Sequence, residues 1–255
     1  MKPTVLVTGA DRGLGLSLAK EFHANGFRVF AGRFLKNWTY ITDFAAADPE
    51  NVKVIDIDIS SDESVSLARE AVLKETDSLD VLMNNAAICD LGTYKDGSIF
   101  DPSLNFESMQ RVINVNAIGT LRVTHAFIDL VMKSKHKLVA NISSEAGSVG
   151  ACWRNFGFAY CMSKTAINMF AAILQNGISG ERGGQVMNFE PGGMPTHNND
   201  HTDSADKMLP LAKNDSSRVT CDESAKGIVK MILDHERYKG ERPAYLSYKG
   251  ETLIW

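Results

Sequence analysis

The sequence predicts an α/β fold in which one doubly wound parallel sheet of about seven strands carries helices on both faces. Three observations predict it. Short β-branched runs alternate with stretches of helical spacing, the first run ends in a glycine-rich turn, and no internal repeat or composition shift divides the chain. Strands that alternate with helices form right-handed βαβ units. We therefore predict a single domain over residues 1–255.

Each predicted strand is a short apolar run bounded by turn residues, and each predicted helix has apolar residues at helical spacing. The helix at 220–235 opens with Thr220 and Glu223 at the spacing of a capping box. The strands are expected at 4–8, 27–32, 51–58, 79–84, 137–143, 185–193 (with a turn) and 243–248. The helices are expected at 14–26, 62–75, roughly 106–133, 159–174 and 220–235.

Composition argues against several classes of protein. The net charge of −4 and the pI of about 5.9 lack the basic excess of a nucleic-acid-binding domain. No apolar run reaches the length of a membrane span, and the N-terminus does not resemble a signal peptide. The cysteines at 89, 152, 161 and 221 form no paired motif, so we expect reduced thiols and a cytoplasmic protein. Cys161 is also a possible nucleophile, although packing is the favoured interpretation.

The segment "TGADRGLG" (8–15) joins the first strand to the first helix. Its glycines at 9, 13 and 15 allow a tight turn and a close approach of backbone to a phosphate group. The start of the helix supplies free N–H groups and a partial positive charge. Between a first strand and a first helix, this pattern predicts a dinucleotide site rather than an ordinary turn.

The residues after the second strand select between NAD and NADP(H). An NAD site usually places an acidic residue there for the ribose 2′-hydroxyl, but none occurs over 27–42. Arg33 follows the strand instead, with Lys36 nearby and Arg12 inside the glycine loop. A guanidinium suits a 2′-phosphate, so we expect NADP(H). The alternative for Arg33 is a solvated surface charge.

Motifs along most of the chain resemble those of the short-chain dehydrogenase/reductase family. They are "TGADRGLG" (8–15), Asp58, "NNAA" (84–87), "VNAIG" (115–119), "NISSEAG" (141–147), "YCMSK" (160–164) and "PGGMPT" (191–196). The ending "YKGETLIW" and "ADRGLG" (10–15) are most similar to the carbonyl-reductase-like branch of C-factor and sniffer-type proteins. The resemblance implies a Rossmann-type fold and NADP(H)-dependent oxidoreductase activity.

The resemblance also implies roles for individual residues. Asp58 and Ile59 would contact the adenine, Asn84 would lie under the cofactor, and Thr196 would bond the nicotinamide carboxamide. The full set of implied cofactor contacts is Gly9, Asp11, Arg12, Gly13, Leu14, Gly15, Arg33, Asp58, Ile59, Asn85, Ala86, Ala87, Tyr160, Lys164, Pro191, Gly192, Met194 and Thr196.

The implied catalytic residues are Asn116, Ser144, Tyr160 and Lys164. Ser144 would polarise a carbonyl, Tyr160 would donate the proton, Lys164 would bond the nicotinamide ribose, and Asn116 would hold a kinked helix turn and a water. Tyr160 and Lys164 are spaced i, i+4, which puts them on one helix face. A phenol has a pKa near 10, and a neighbouring ammonium is expected to lower it. Alone, such a pair occurs often by chance, and only the joint order of the four residues supports a site.

We therefore expect an NADPH-dependent carbonyl reductase that acts reversibly on a ketone or aldehyde and forms a homodimer or homotetramer. The alternatives are a non-catalytic NADP-sensing protein and an enzyme of the same family with imine-reducing or dehydrating chemistry. The segments 89–105, 148–158 and 194–219 are the expected substrate loops. Trp153, Phe156 and Phe158 either line the pocket or pack the second loop. His197 and His201 could suggest a metal, but we expect none.

Two departures from the family pattern raise structural questions. Ala87 stands where a glycine is expected, and it would cost about 1 kcal/mol or more if that position needs a positive φ. Glu190 precedes the proline of "PGGMPT", and Gly193 stands where bulkier residues are common, which would open the pocket.

Overall fold

A computed structural model of the protein describes residues 2–89, 97–194 and 219–255. Seven parallel strands form one sheet in the order β3-β2-β1-β4-β5-β6-β7, which confirms the predicted α/β fold. The strands are β1 (Thr4–Val7), β2 (Arg28–Arg33), β3 (Val52–Asp56), β4 (Val81–Asn84), β5 (Leu138–Ile142), β6 (Gln185–Glu190) and β7 (Ala244–Ser247). Their ends fall within three residues of the predicted boundaries, and the largest shift is where β6 ends before its turn.

Helices cover both faces of this sheet. They are α1 (Gly13–Ala24), α2 (Tyr40–Ala47), α3 (Asp62–Leu73), α4 (Phe106–Ile113), α5 (Thr120–Lys133), α6 (Phe158–Ile178) and α7 (Cys221–Leu233). One core layer packs α1 and α7 against the sheet, and the other packs α3, α5 and α6. The central strands β1, β4 and β5 are buried throughout because both of their faces lie under helices.

The predicted helix 106–133 is two α-helices joined by a π-helical turn over Asn114–Gly119. A π turn inserts a residue into the helical repeat and is frequent at functional sites. Asn116 lies in this turn and is fully buried. The apolar spacing that predicted one helix continues through the turn, so periodicity did not indicate it; the kinked turn at Asn116 was implied by the family resemblance alone.

Helix α2, the start of α7 and the backbone at Ala87 bear on three further expectations. Helix α2 was not predicted; it is short and has a single buried residue, Ile41, so its periodic signal is weak. At α7, Thr220 and Glu223 do form the predicted capping box. Among the described residues other than glycine, only Lys137 has a positive φ, so Ala87 in place of glycine causes no backbone strain.

Candidate active site

The candidate site lies at the carboxyl ends of β1, β4, β5 and β6. The strand order runs outward from β1 in one direction and from β4 in the other, which makes the space between their ends the topological switch point. Open parallel sheets bind ligands in the crevice outside this point. Here that crevice receives the glycine loop after β1 and the segments that follow β4, β5 and β6.

The glycine loop is shaped for close approach of backbone atoms. Gly9 and Gly13 have φ values of +65° and +55°, which side-chain-bearing residues rarely adopt. A Cβ atom on Gly15 would lie 2.0 Å from the backbone oxygen of Gly9. The turn is therefore built from glycine at each of these positions and presents its backbone to the crevice.

The start of α1 has free hydrogen-bonding capacity. Arg12, the N-cap residue, makes no side-chain capping bond; the same holds for α2 and α6, whereas Ser61 caps α3, Asn105 caps α4 and Thr220 caps α7. The first N–H groups of a helix need an acceptor, and phosphate oxygens are suitable ones. Together, the glycine cradle and the uncapped helix fit the pyrophosphate of a dinucleotide.

The two asparagines of "NNAA" have different partners. The Asn85 amide donates to the backbone oxygens of Thr8 (2.9 Å) and Gly9 (3.1 Å), so it holds the glycine loop in place. The Asn84 amide is buried and donates instead to Thr124 (3.0 Å) and Asn141 (2.9 Å) inside the fold. The expectation for Asn84 therefore changes: its amide group bonds α5 and β5.

The loop after β2 packs closely on the glycine loop. The Asp11 carboxylate accepts hydrogen bonds from the backbone N–H groups of Phe34 (2.7 Å) and Leu35 (3.0 Å). Burial raises the pKa of Asp11, although these bonds oppose the shift. The guanidinium of Arg12 stacks on the ring of Trp38, 5.1 Å from its centroid. Asp11 thus fixes the loop, and Arg12 and Trp38 line it.

Arg33 is an ion-paired residue. Its Nε donates to Asp56 Oδ1 over 2.7 Å, and Lys36 Nζ lies 3.3 Å from the other oxygen of that carboxylate. Arg33 ends β2 directly opposite Asp56, the last residue of β3. The hydrogen bond from Arg33 lowers the pKa of Asp56. Arg33 is thus neither a free phosphate ligand nor a solvated charge in this structure, because the next strand supplies a carboxylate.

Asp58 and Ile59 follow β3. The Asp58 carboxylate accepts from the backbone and side chain of Ser60 at 2.8 and 2.7 Å, which leaves its second oxygen for another donor. The backbone oxygen of Ile59 accepts from Arg122 over 2.7 Å. The backbone N–H of Ile59, the donor expected for adenine, lies beside this carboxylate in the chain.

Ser143 and Ser144, which follow β5, face different surroundings. The Ser143 hydroxyl donates to Asn168 over 2.7 Å within the core. The Ser144 hydroxyl accepts from the backbone N–H of Ala146 at 3.2 Å, at the start of a 3₁₀ turn, and it lies close enough to the phenol of Tyr160 to oppose the rise in that group's pKa. Ser144 is therefore the serine whose hydroxyl meets the tyrosine.

Tyr160 and Lys164 share one face of α6, as their spacing predicts. Lys164 Nζ lies 5.6 Å from the centroid of the Tyr160 ring and donates to the backbone oxygen of Ile142 over 2.8 Å. Burial lowers the pKa of Lys164 to about 8. Burial and the neighbouring Cys89 raise the pKa of Tyr160, while the Ser144 bond and Arg154 oppose the shift. The expected lowering of the phenol pKa by Lys164 is therefore not found, because desolvation dominates.

Asn116 connects the π turn to the segment after β4. Its amide nitrogen donates to the backbone oxygen of Ile88 (2.8 Å) and to the hydroxyl of Ser163 (3.0 Å), and its oxygen accepts from the N–H of Ile88 (2.8 Å). Its side chain is therefore fully used in joining the turn to α6 and to residue 88. The backbone oxygen of Asn116 accepts from Thr120 over 2.7 Å.

The loop at 148–158 lies between Ser144 and Tyr160, whose spacing is about three residues longer than in the family pattern, and this insertion carries a cation, Arg154, whose charge acts on Tyr160. Arg154 forms an ion pair with Glu145, and its guanidinium lies 4.9 Å from the ring centroid of Trp153 and 5.5 Å from that of Phe156. Burial lowers the pKa of Arg154, but the Glu145 carboxylate outweighs it, so the pKa is raised overall. Glu145 directly follows Ser144. Trp153 and Phe156 thus pack around Arg154, and Trp153 stays 70% exposed.

The turn after β6 is held by Glu190. Its carboxylate accepts from the N–H of Gly192 at 2.7 Å, and burial raises its pKa. Gly192 needs its positive φ of +85°, and a Cβ atom there would also lie 2.6 Å from Val219. A Cβ atom on Gly193 would meet no described atom within 4 Å, so space is open there.

Three residues singled out in the sequence, Thr196, His197 and His201, lie outside the described residues, as do 90–96 and 195–218 of the expected substrate loops. Met194 is described and packs against the core layer of α1 and α7. Within 2–89, 97–194 and 219–255, no group of His, Cys, Asp and Glu side chains is arranged to hold a metal ion. In the same residues, no helix is long and apolar enough to cross a membrane.

Phe158 has a different location from the catalytic pair. It lines an apolar cavity of about 500 Å³ between α4 and α6, together with Met162, Met109 and Phe106. Phe158 and Met162 are spaced i, i+4 and lie two residues on either side of Tyr160, which places them on the opposite side of α6. Phe158 thus belongs to the α4–α6 groove, and the expectation that it lines the substrate pocket is not supported.

Two residues of the site were not predicted from the sequence. Trp38 stacks on Arg12 but follows no motif, and Arg154 lies in the insertion where only the aromatic residues drew attention. Both sit within a few residues of a recognised feature. A positive charge inside an aromatic insertion was the available signal for Arg154.

The strand order, the glycine cradle and the uncapped helix define a Rossmann-type dinucleotide-binding protein. Comparison with known proteins then gives the family. The model of the family described as short chain dehydrogenase matches residues 3–207, and the chain belongs to that family.

Several relatives resemble the chain. Estradiol 17-beta-dehydrogenase 2 of Mus musculus is 34% identical over 206 residues, which is 80% of this chain and 51% of that protein, so the chain spans about half of its length. An NADPH-bound carbonyl reductase from chicken fatty liver has 26% identity and a TM-score of 0.81 over all of both chains. The carbonyl reductase Sniffer of D. melanogaster, at 20% identity and a TM-score of 0.80 over all of both chains, shares the fold.

Proposed function

We propose that the protein is an NADP(H)-dependent carbonyl reductase, which reduces a ketone or aldehyde and reversibly oxidises the corresponding alcohol. The observation that carries the proposal is the meeting of the Ser144 hydroxyl and the Tyr160 phenol beside the buried ammonium of Lys164. Two hydroxyl groups that converge next to a cation can bind a carbonyl oxygen and supply its proton.

The dinucleotide is held by backbone and side-chain groups of the glycine loop and its neighbours. The backbone N–H groups at the uncapped start of α1 donate to the pyrophosphate oxygens. The Asp58 carboxylate and the Ile59 N–H are available to the adenine. Arg12, Arg33 and Lys36 bring positive charge to the 2′-phosphate position. The NADPH bound to the similar chicken reductase supports this choice of cofactor. The pair between Arg33 and Asp56 would have to share or release the guanidinium.

The residues of the cluster divide the work on the carbonyl group. The reduced cofactor, when bound, supplies the hydride. As negative charge develops on the carbonyl oxygen, the Ser144 hydroxyl donates a hydrogen bond to it, and the Tyr160 O–H bond breaks as its proton moves to that oxygen. The product is an alcohol, with one hydride on carbon and one proton on oxygen. The phenolate left on Tyr160 is stabilised by the Ser144 hydroxyl and by the charge of Arg154.

Lys164 and Asn116 maintain this geometry. Lys164 is fixed by its bond to Ile142, so its ammonium stays within reach of the phenol and of a ribose hydroxyl. Asn116 holds the π turn against residue 88 and Ser163 of α6, three residues after Tyr160. We assign Asn116 a part in returning a proton to Tyr160 through water.

The substrate class is an apolar or aromatic carbonyl compound. The exposed ring of Trp153 and the neighbouring Phe156 supply an apolar surface beside Ser144, and Gly193 leaves space on the other side. The exposed apolar side chains on the π turn, α5 and α6 support assembly into a homodimer or homotetramer; they are Ile118, Leu121, Met162, Met169 and Ile173.

The test is NADPH oxidation, with NADH alongside, against a panel of ketones, aldehydes, diketones and quinones. For a substrate that turns over, Tyr160→Phe should lower kcat by about 10³-fold or more, since it removes the proton donor and leaves the ring. NADPH binding, followed by its fluorescence, should stay within about twofold of the wild type. Tyr40→Phe, on the exposed surface of α2, is the matched control. Ordinary turnover by the Tyr160 variant would overturn the proposal.

A further inference from the structure

A tyrosine from the last strand holds the backbone of Ser144. Tyr245 lies in β7 and is 1% exposed. Its hydroxyl donates to the backbone oxygen of Ser144 over 2.5 Å. The two residues are 101 positions apart in the chain, so this contact is set by the sheet and not by local structure.

Tyr245 completes a row of buried polar residues across four strands. Asn84, Asn141, Asn188 and Tyr245 stand at paired register positions in β4, β5, β6 and β7. The Asn84 amide donates to Asn141 (2.9 Å), and the Asn141 amide donates to Asn188 (2.8 Å). A polar row inside a sheet is costly unless its members are paired, so its side chains have little freedom to turn.

Asn168 of α6 joins this row to the segment after β5. Its side-chain oxygen accepts from Asn188 (3.0 Å) and from Ser143 (2.7 Å), and its nitrogen donates to the backbone oxygen of Gly147 (3.1 Å). The side chains of Asn168 and Ser143 also lie near the Tyr245 hydroxyl and oppose the rise that burial causes in its pKa. The segment 143–147 is thus bonded by Asn168 of α6 at both ends and by Tyr245 of the sheet at Ser144 itself.

Residues 252–255 hold Tyr245 from the other side. The chain turns back after β7, where Thr252 bridges Leu246 and the Leu253 N–H donates to the backbone oxygen of Tyr245 over 2.8 Å. The ring of Trp255 lies on that of Tyr245, with 5.2 Å between centroids. Packing of this kind restricts the phenol to one position.

Trp255 also contacts the insertion that follows Ser144. Its backbone oxygen accepts from the N–H of Gly150 over 2.9 Å. A Cβ atom on Gly150 would lie 2.8 Å from Ile254 and 3.0 Å from the Trp255 oxygen, so the close approach depends on glycine. Tyr245 and Trp255 therefore fix two points, residues 144 and 150, of the segment that leads into the insertion.

We propose that Tyr245 is a positioning residue for Ser144, and that Trp255 holds both Tyr245 and the start of the insertion in place. The proposal rests on the proposed function, in which the Ser144 hydroxyl bonds the carbonyl oxygen. The direction of that hydroxyl follows from the backbone of Ser144. Loss of the Tyr245 bond leaves the Ser144 backbone oxygen with the N–H of Gly147 (2.9 Å) as its donor, so the tie to β7 is lost and the segment is free to shift. A small displacement of a polarising group lowers the rate without removing the group.

The test is a double-mutant cycle on kcat with a substrate found active in the panel. Tyr245→Phe keeps the ring that packs on Trp255 and removes one hydroxyl. It should lower kcat roughly tenfold or more while the NADPH KM stays within about twofold. In a Ser144→Ala background the same change should alter kcat by less than about twofold, because the group it positions is gone. Equal losses in both backgrounds would contradict the positioning role.

Tyr238→Phe is the control for loss of a phenol hydroxyl, since Tyr238 lies in a 3₁₀ turn after α7 and packs on the core. Its kcat should match that of the wild type. If Tyr160→Phe keeps full turnover, the proposed function fails. If Tyr160→Phe is inactive and Tyr245→Phe is fully active, this inference alone fails.

A second measurement needs no substrate and covers a variant that folds poorly. Amide hydrogen exchange should be faster at Gly147 and Gly150 in Trp255→Ala and Tyr245→Phe than in the wild type, with exchange in β1 unchanged. Wild-type exchange at both glycines in both variants would overturn the inference.

Discussion

Lys164 Nζ lies 5.6 Å from the ring centroid of Tyr160, and burial favours the neutral form of both groups. Burial lowers the pKa of the ammonium to about 8 and raises the pKa of the phenol. The cation expected to promote ionisation of Tyr160 is thus weakened by the pocket that brings the two together. In the cofactor-free protein, the pair costs stability, as is common for groups that are arranged for chemistry.

The first prediction concerns this cost. The pKa of Lys164 falls from 10.5 to about 8 on folding. Between these pH values the unfolded chain binds more protons than the folded chain, so protonation stabilises the unfolded state. Lys164 therefore has little effect on stability above pH 10.5 and destabilises the wild type increasingly as the pH falls towards 8. The difference corresponds to about 3 kcal/mol. Relative to the wild type, Lys164→Met should therefore be more stable at pH 7 than at pH 10.5, as measured by urea unfolding.

The matched control is Lys133→Met, at an exposed lysine in the last turn of α5. Its free energy of unfolding relative to the wild type should not change with pH over this range. The loss of the bond from Lys164 to Ile142 in Lys164→Met lowers stability equally at every pH and cancels in the comparison. An unchanged difference between pH 7 and 10.5 would rule out a buried ammonium at this position.

The second prediction concerns Arg154. The guanidinium lowers the pKa of Tyr160 by its charge, against the effect of burial. Alcohol oxidation needs the phenolate as base, so its rate should rise with pH as Tyr160 ionises. Arg154→Met should move this rise to higher pH and lower kcat at neutral pH. The measurement is kcat for oxidation from pH 6 to 10.

Arg182→Met serves as the control, since Arg182 is exposed and donates only to the backbone of Gly177 at 2.9 Å. Its pH profile should overlay that of the wild type. A profile for Arg154→Met that falls uniformly, with no movement along the pH axis, would show that Arg154 supports the insertion without acting on Tyr160.

The framework of this site could be predicted because it depends on local sequence. The parallel strands are recognisable as short apolar runs, and Gly9, Gly13 and Gly15 occupy positions where the backbone requires glycine. Tyr160 and Lys164 share a face because of helical geometry alone. Each of these features can be recognised without knowing what packs against it.

The rest could not be predicted because it depends on residues that meet across the sheet. Asp56 captures Arg33 only because β3 pairs with β2 in that register. Desolvation reversed the expected pKa shift of Tyr160. How deeply a single side chain is buried cannot be predicted from the residues next to it in the sequence. The apolar spacing continues through the π turn at Asn116, so periodicity predicted one helix there and only the family resemblance implied a kink.

The third prediction separates cofactor binding from folding at two glycines. Gly15→Ala would bring Cβ within 2.0 Å of the Gly9 oxygen and 2.5 Å of Asn85. It should distort the cradle and weaken NADPH binding by roughly a hundredfold or more, as measured by fluorescence titration. Gly177→Ala, in the last turn of α6 with no described atom within 4 Å of its Cβ, should bind NADPH normally and be up to about 1 kcal/mol more stable. Normal binding by Gly15→Ala would place the pyrophosphate elsewhere.

The fourth prediction concerns the choice of coenzyme at the two ends of β2. Arg33 ends this strand near the 2′-phosphate position and is paired with Asp56, whereas Arg28 begins the strand and is paired with Glu75. Arg33→Ala should weaken NADPH binding roughly tenfold or more, since a charge-assisted bond is lost, and should change NADH binding by less than about twofold. Arg28→Ala should leave both coenzymes unaffected. The measurement is the dissociation constant of each coenzyme, determined by fluorescence at constant salt. Equal weakening of NADPH and NADH binding by Arg33→Ala would mean that Arg33 supports the strand and does not select the coenzyme.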